Sequence, residues 1–311
     1  MEKSGVKMRD SQVRGRGVLT VAFGHRDYAR MAITMARAIR LRDAEMPLAV
    51  ATDLAPELFR DWFQYVIPWR HAYASFYEFK FDLYAMSPFE ETLFIDSDCM
   101  ALRPVRDVMD LFVGHDVSVA GQNVASPWWF VHPQRIRARL PRETYPGFNG
   151  GLMYFRRSPN AELVFERARE WVAEYDALGV ARLSSGSIND EPMFSLAMAE
   201  RGCRAVDNAT HCIIYGPRLG RVDIDVLAAT CEMDLDGKAV QPMICHFAGM
   251  NKDRYVYERE RLRLQYAGRC GPMRRGVRAA IDGAACVTWL WQRIVQRVRR
   301  LRRRFVRTWG A

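Results

Sequence analysis

Residues 91–105, ETLFIDSDCMALRPV, constrain the fold more than any other stretch. A short apolar run, Thr92-Leu93-Phe94-Ile95, passes directly into Asp96-Ser97-Asp98, and a second apolar patch ends at Pro104. An unbroken apolar run of this length, bounded by turn residues, reads as a buried strand. Carboxylates at i and i+2 of an extended backbone point to the same side. At the carboxyl end of a strand in an open α/β sheet, that side is the mouth of the ligand crevice. Two close carboxylates repel unless a cation lies between them. An oxygen-liganded divalent ion, able in turn to hold a diphosphate, is the common solution. A bare D-x-D also occurs by chance as a solvated turn, so its surroundings decide.

The chain leading up to this stretch reads as β-α-β-α-α-β. Residues 18–23 (VLTVAF) form an apolar strand, 24–27 turn, and 28–42 form a helix with Met31, Met35, Ala38, Ile39 and Leu41 on its apolar face. Residues 48–51 make a second strand. A helix is expected from Pro56 (PELFRDWFQYV), Pro being suited to a first turn, and another over 75–86. This order predicts a parallel sheet with helices on its faces. Beyond Pro104 come a short helix, a strand over 117–120, and an irregular stretch over 121–145 that holds Trp128 and Trp129. Gly147-Phe148-Asn149-Gly150-Gly151 leads into a strand over 152–155, and a helix spans 160–175. Asn189-Asp190-Glu191-Pro192 opens a helix running through Glu200. Short strands are expected at 203–206, 211–215 and 243–247, a turn at 249–252, and a charged surface helix at 255–266.

Charge divides the chain unevenly. Residues 273–311 hold eleven Arg and one acid, Asp282, a net of +10 that equals the charge of the whole chain. The body is therefore neutral and lacks the basic face that a nucleic-acid-binding body needs. Along 273–309, Arg alternates with Val287, Trp289, Leu290, Trp291, Ile294 and further apolar residues. On a helix this predicts an apolar stripe opposite an Arg-rich face, the form that lies on an anionic membrane surface. Packing on the body or on a partner protein, or contact with nucleic acid, are the alternatives. No run of about 18 apolar residues exists to span a bilayer. The first seventeen residues are polar, lack the apolar stretch of a signal peptide and are expected to be disordered. The seven cysteines are odd in number, with no C-x-x-C pair, which reads as reduced thiols in a cytosolic protein. The expected location is cytoplasmic and peripheral, on the inner face of a membrane.

Two further constellations accompany the paired aspartates. Lys80 stands sixteen residues before Asp96 among Phe76, Tyr77, Phe79 and Phe81. It is either a helix lysine covering apolar surface or a cation for a bound anion. His246 ends an apolar strand and is followed by Phe247-Ala248-Gly249-Met250-Asn251-Lys252. It is either a satisfied core histidine or a neutral imidazole for a metal, with Lys252 as a point charge for a phosphate. Carboxylate and imidazole together suit Mn²⁺ or Mg²⁺ and tilt the choice towards Mn²⁺.

Lys80, FIDSD (94–98), FNGGLMYFRRS (148–158), NDEPMFSLA (189–197) and HFAGMNK (246–252), in this order and spacing, resemble a GT-A type glycosyltransferase. The nearest resemblance is to the family-8 group that includes glycogenin and bacterial lipopolysaccharide sugar transferases, and it covers residues 18–265. It implies a single GT-A (Rossmann-like) α/β domain over 18–268, with a mixed, mainly parallel sheet, between the N-terminal 1–17 and a basic amphipathic tail over 269–311. It also implies that Asp96, Asp98 and His246 ligate Mn²⁺ (or Mg²⁺) bridging the diphosphate of a nucleotide-sugar donor, with Ser97 at the same donor. Lys252 and the Gly249 backbone would hold the diphosphate, and Lys80 the donor sugar or its phosphate. Tyr28 would stack on the base. Asn149 and Gly150 would line the sugar pocket, and Asp190 with Glu191 would reach the donor sugar. Lys80, Asn149 and Asp190 are the catalytic candidates. Tyr28 as a packing residue, Asp190 as a helix cap and Asn149 as a left-handed turn residue remain open alternatives.

The activity implied is transfer of a hexose from a UDP-sugar to a glycan or lipid-linked acceptor, with retention at the anomeric carbon. Retention leaves open a double displacement through Asp190 or front-side attack. A non-catalytic glycan-binding or membrane-scaffold protein is one competing reading. A sugar nucleotidyltransferase is another, but it needs a G-x-G-[ST]-R loop where this chain has Gly24-His25-Arg26-Asp27-Tyr28.

Overall fold

A computed structural model describes residues 14–69, 73, 76–183, 186–207, 219–235, 237–248, 254–270 and 276–291. The expectations for 1–13, for a strand at 211–215, for Gly249 and Lys252 and for 292–311 lie outside the described residues, whereas residues 14–17, expected to be disordered with the rest of the N-terminus, belong to a strand that begins at Arg14 and pairs with residues 89–92. In chain order the elements are β1 (Arg14–Ala22), α1 (Arg26–Arg42), β2 (Leu48–Thr52), β3 (Tyr65–Pro68), α2 (Leu83–Met86), β4 (Phe89–Ile95), β5 (Cys99–Ala101), α3 (Val105–Asp110), β6 (Val117–Val124), α4 (Pro133–Arg139) and β7 (Tyr145–Arg156). They continue with α5 (Pro159–Trp171), α6 (Asp190–Glu200), β8 (Val206–Asp207), β9 (Leu219–Asp225), β10 (Thr230–Leu235), β11 (Lys238–Val240), β12 (Ile244–His246), α7 (Arg254–Cys270) and a last helix, α8, over 276–291. The chain forms two compact units, one of residues 1–214 with 242–246, the other of 215–241 with 247–311.

The first unit is built on a seven-stranded sheet in the order β3-β2-β1-β4-β7-β6-β8. β1 pairs in parallel with β2 and β4, β2 with β3, and β6 with β8, whereas β7 runs antiparallel to both β4 and β6. The sheet is thus mixed and mainly parallel, as the resemblance implies. Alternate residues along each strand point to opposite faces, and both faces are apolar. Leu19, Phe94 and Met153 face one cluster with Phe79 and Phe194. Val18, Leu93 and Leu152 face another with Met35 and Ile39 of α1. Burial on both sides explains why the strands read as unbroken apolar runs. β5 and β12 form a separate antiparallel pair.

Several local expectations change. The helix expected from Pro56 is one 3₁₀ turn, Pro56–Leu58, followed by β3. Phe59 and Phe63 are buried at helical spacing, but Tyr65–Pro68 joins the parallel ladder of β2, and tertiary pairing outweighs local period. The helix expected over 75–86 is a 3₁₀ segment, Phe76–Asp82, that becomes α-helical only at Leu83. Within the irregular stretch, α4 forms behind Pro133. Asn149 lies in the continuous strand β7, and neither Gly150 nor Gly151 has a positive φ, so the left-handed turn reading fails.

The second unit holds a three-stranded antiparallel sheet, β11-β10-β9, that was not expected from sequence. α7, expected as a surface helix, buries Glu258, Glu260 and Arg263. Glu260 accepts from the Val226 N–H at 2.8 Å and from Arg263 Nη1 at 2.9 Å, so paired charges face inward. Among the described residues, no helix is long and apolar enough to cross a membrane.

Candidate active site

β4 ends buried at Ile95, and the Asp96 N–H continues its ladder by donating to Gly151 O of β7 at 2.9 Å. The chain then turns: the Cys99 N–H donates to Asp96 O at 3.0 Å, and β5 begins at Cys99. Asp96 and Asp98 therefore flank a tight turn rather than alternate along an extended strand. Both carboxylates approach one imidazole because β5 carries a partner. In the β5–β12 register His246 lies opposite Cys99. This sets His246 Nε2 3.1 Å from Asp98 Oδ1 and 3.8 Å from Asp96 Oδ2.

The other ring nitrogen is equally fixed. His246 Nδ1 lies 2.6 Å from Asn149 Oδ1, which also accepts from the Gly151 N–H at 3.1 Å. An amide oxygen only accepts, so Nδ1 carries a proton and Nε2 faces the aspartates. Across 3.1 Å, Nε2 and a carboxylate attract only with a proton or a cation between them. Burial works against the imidazolium, but Asp98 and then Asp96 outweigh it and raise the His246 pKa. Burial likewise opposes the Asp98 carboxylate, and His246 overcomes it to hold that pKa below the usual range.

Lys80 closes the other side. It is buried, and its Nζ donates to Gly150 O at 2.8 Å while lying 3.5 Å from Asp96 Oδ2, 3.4 Å from Asp190 Oδ2 and 5.7 Å from the Phe94 ring centre. It is not a surface lysine reaching for water. Burial disfavours its charge, but Asp190 and Asp96 raise its pKa. Burial raises both aspartates against the pull of Lys80.

Asp190 opens α6 but does not cap it. The cap is Asn189, whose side chain accepts from the Glu191 N–H at 3.2 Å. Glu191 Oε1 in turn accepts from the Gly150 N–H at 2.8 Å and from Asn149 Nδ2 at 3.5 Å. Burial, and then Asp190, push the Glu191 carboxyl up to about 7. The two glycines are needed for close approach. A Cβ at Gly150 would lie 2.9 Å from Lys80 Nζ and 3.0 Å from Asp190 Oδ2, and one at Gly151 would lie 2.4 Å from the His246 ring.

Lys80, Asp96, Asp98, Asn149, Gly150, Asp190, Glu191 and His246 thus form one connected set. Ser97 is buried within the turn. Tyr28 packs, partly buried, against the core on the α1 face of the sheet. Cys99, which sequence reasoning passed over, joins Asp98 and His246 with ligand atoms within 4.8 Å of one another. Its only signal was adjacency to Asp98. Burial raises the Cys99 thiol pKa well above its ordinary value, and Sγ lies 3.9 Å from Gly151 O at the base of the site. The donor set facing outward is oxygen and imidazole nitrogen, which suits a hard or borderline divalent ion.

The chain matches no protein-family model and no curated protein. Solved structures do match. An active-site mutant of LgtC is 12% identical over 84% of this chain and 99% of that one, with a TM-score of 0.52. The galactosyltransferase LgtC in complex with donor and acceptor sugar analogs is 13% identical over 85% of this chain and 99% of that one, with a TM-score of 0.50. The fold is that of the GT-A glycosyltransferases.

Proposed function

We propose that the protein is a metal-dependent glycosyltransferase that moves a hexose from a UDP-sugar to a glycan or lipid-linked acceptor. The observation that carries this reading is the meeting of Asp96, Asp98 and His246, from the β4–β5 turn and from β12, with charged Lys80 behind Asp96. Mn²⁺ or Mg²⁺ bound by these three would supply charge neutralisation for a departing diphosphate. The chain's own residues prepare the site. Asn149 holds His246 with Nε2 outward, Lys80 keeps Asp96 and Asp190 close without mutual repulsion, and Gly150 and Gly151 let β7 approach both. Asp190, 2% exposed and 3.4 Å from Lys80, is held as a buried anchor for a donor hydroxyl. Tyr28 as base platform, and Gly249 and Lys252 as diphosphate ligands, complete the reading from the resemblance.

The test is release of nucleoside diphosphate from a panel of UDP- and other nucleotide-sugars, with Mn²⁺, Mg²⁺ or a chelator present. Metal-dependent release that is lost in Asp98→Ala is expected. No release from any donor, together with no metal bound, would refute the proposal and leave a non-catalytic glycan-binding protein.

A further inference from the structure

Cys99 takes no part in the proposed transfer, yet the strand pair delivers it to the metal residues. In the antiparallel register of β5 and β12, Cys99 stands directly opposite His246. Side chains so paired share one face of the ladder, with Cβ atoms about 4.5–5.5 Å apart. Asp98, one residue earlier, reaches His246 Nε2 at 3.1 Å. A carboxylate oxygen, a thiol sulfur and an imidazole nitrogen thus lie within 4.8 Å of one another. The ring is not free to turn away. Asn149 holds Nδ1 at 2.6 Å, and Gly151 presses on the imidazole closely enough that a Cβ there would come within 2.4 Å of it. Nε2 therefore presents its lone pair to Asp98, and two acceptors that close call for a cation between them.

We infer that Asp98, Cys99 and His246 form a second coordination mode of the site, one that takes Zn²⁺ and excludes the ion used for transfer. The two modes differ in softness. Asp96, Asp98 and His246 offer the oxygen-rich set that suits Mn²⁺ or Mg²⁺, whereas a thiolate selects Zn²⁺, which already stands above Mn²⁺ in affinity for such ligands. Tetrahedral Zn²⁺, with bonds of about 2.0–2.3 Å, holds its ligand atoms roughly 3.5 Å apart. Small rotations of Asp98 and Cys99 reach that spacing. Zn²⁺ then lies deeper, towards β5, with a fourth position open to water. Asp96 is not required and keeps Lys80 at 3.5 Å. A sulfur–metal bond replaces S–H, and the thiol proton passes to solvent, as a coordinating thiol loses its proton outright. Because Asp98 and His246 serve both modes, one ion displaces the other. The inference rests on the proposed metal role of Asp98 and His246 and adds Cys99 to it.

Co²⁺ stands in for Zn²⁺ and reports a sulfur ligand through a near-ultraviolet thiolate-to-cobalt charge-transfer band. The full chain, reduced and stripped of metal with a chelator, is expected to develop this band as a single equivalent of Co²⁺ is added. Cys99→Ala and His246→Ala are each expected to abolish it. Zn²⁺ added to the Mn²⁺-loaded chain is expected to release Mn²⁺, read from the electron paramagnetic resonance signal of the free ion. Cys99→Ala should weaken Zn²⁺ binding at least about tenfold and Mn²⁺ binding less than about twofold. Cys99→Ser, which keeps the size of the side chain, should do the same if alanine loosens the core. Failure to bind Co²⁺ or Zn²⁺, Co²⁺ bound without the band, a band that survives Cys99→Ala, or equal loss of both metals in the two Cys99 variants overturns the inference. Any of these leaves Mn²⁺-dependent donor cleavage untouched, whereas a wild type that shows the band but cleaves no donor overturns the proposed function alone.

Discussion

Asn149→Ala tests the step on which the proposed metal binding depends. Asn149 Oδ1 accepts from His246 Nδ1 at 2.6 Å and from the Gly151 N–H at 3.1 Å. Alanine strips the acceptor from both. Each buried donor left without a partner costs about 1–3 kcal/mol, so the fold loses a few kcal/mol at most. The metal site loses something more specific. With no acceptor at Nδ1, the ring is free to rotate and to place its proton on Nε2, where an ion would bind. Loss of such an outer partner weakens metal affinity roughly 10- to 100-fold. Asn149→Asp separates the two effects, because a carboxylate accepts both hydrogen bonds and makes the imidazole a stronger ligand. Mn²⁺ titration followed by the electron paramagnetic resonance signal of the free ion reads affinity without reference to turnover. The expected order is Asp at least equal to Asn, and both well above Ala. If Ala binds Mn²⁺ as tightly as wild type, or if Asp binds as weakly as Ala, then Asn149 does not orient His246. Nitrogen-15 shifts of the His246 ring provide the second readout: a protonated Nδ1 in wild type and Asp, and a mixed tautomer in Ala.

Lys80→Met removes the cation that lies between Asp96 and Asp190. Breaking a buried pair from one side costs about 3–5 kcal/mol, read as a lower urea midpoint with unchanged slope, and added Mn²⁺ should restore part of it by returning positive charge to Asp96. Gly151→Ala forces a Cβ to 2.4 Å from the His246 ring; Mn²⁺ affinity should fall while the far-ultraviolet circular dichroism spectrum stays native, and an unchanged affinity would show that β7 yields instead. Glu191 has a folded pKa of about 7 against an ordinary 4.5. Between those values the folded state keeps a proton that the unfolded state has lost, so its contribution to stability falls as pH rises from 4.5 to 7 and is constant above. The full shift corresponds to at most about 3 kcal/mol. Glu191→Gln should therefore gain in melting temperature relative to wild type at pH 8 compared with pH 5, and an equal difference at both pH values would refute the assignment.

What could be read from the sequence follows from where the information lies along the chain. β1, α1, β2 and β4 announce themselves because burial on both faces leaves an unbroken apolar run, and helical period marks α1. Asp96 and Asp98 are equally local. His246 is not: bare sequence leaves it a lone histidine 148 residues beyond Asp98, and only the HFAGMNK resemblance singles it out. The contact is made by two three-residue strands, Cys99–Ala101 and Ile244–His246, too short for any periodicity to fix their register. Gly150 and Gly151 were readable as glycines with a purpose, but the purpose was close approach to Lys80 and His246 rather than a turn, and nothing local separates the two. The second unit misleads in the opposite way. β9 and β10 carry Asp223, Asp225, Glu232 and Asp234, which reads as solvated loop. α7 and α8 carry charges at helical spacing, which reads as a wet face. Periodicity reports that a helix has two unlike sides; it does not report which side is wet. Among the described residues of α7 and α8, charges turn toward the unit where they meet opposite ones, Arg263 with Asp282 and Arg278 with Asp225. Partners from β9, α7 and α8, far apart in sequence, decide that orientation.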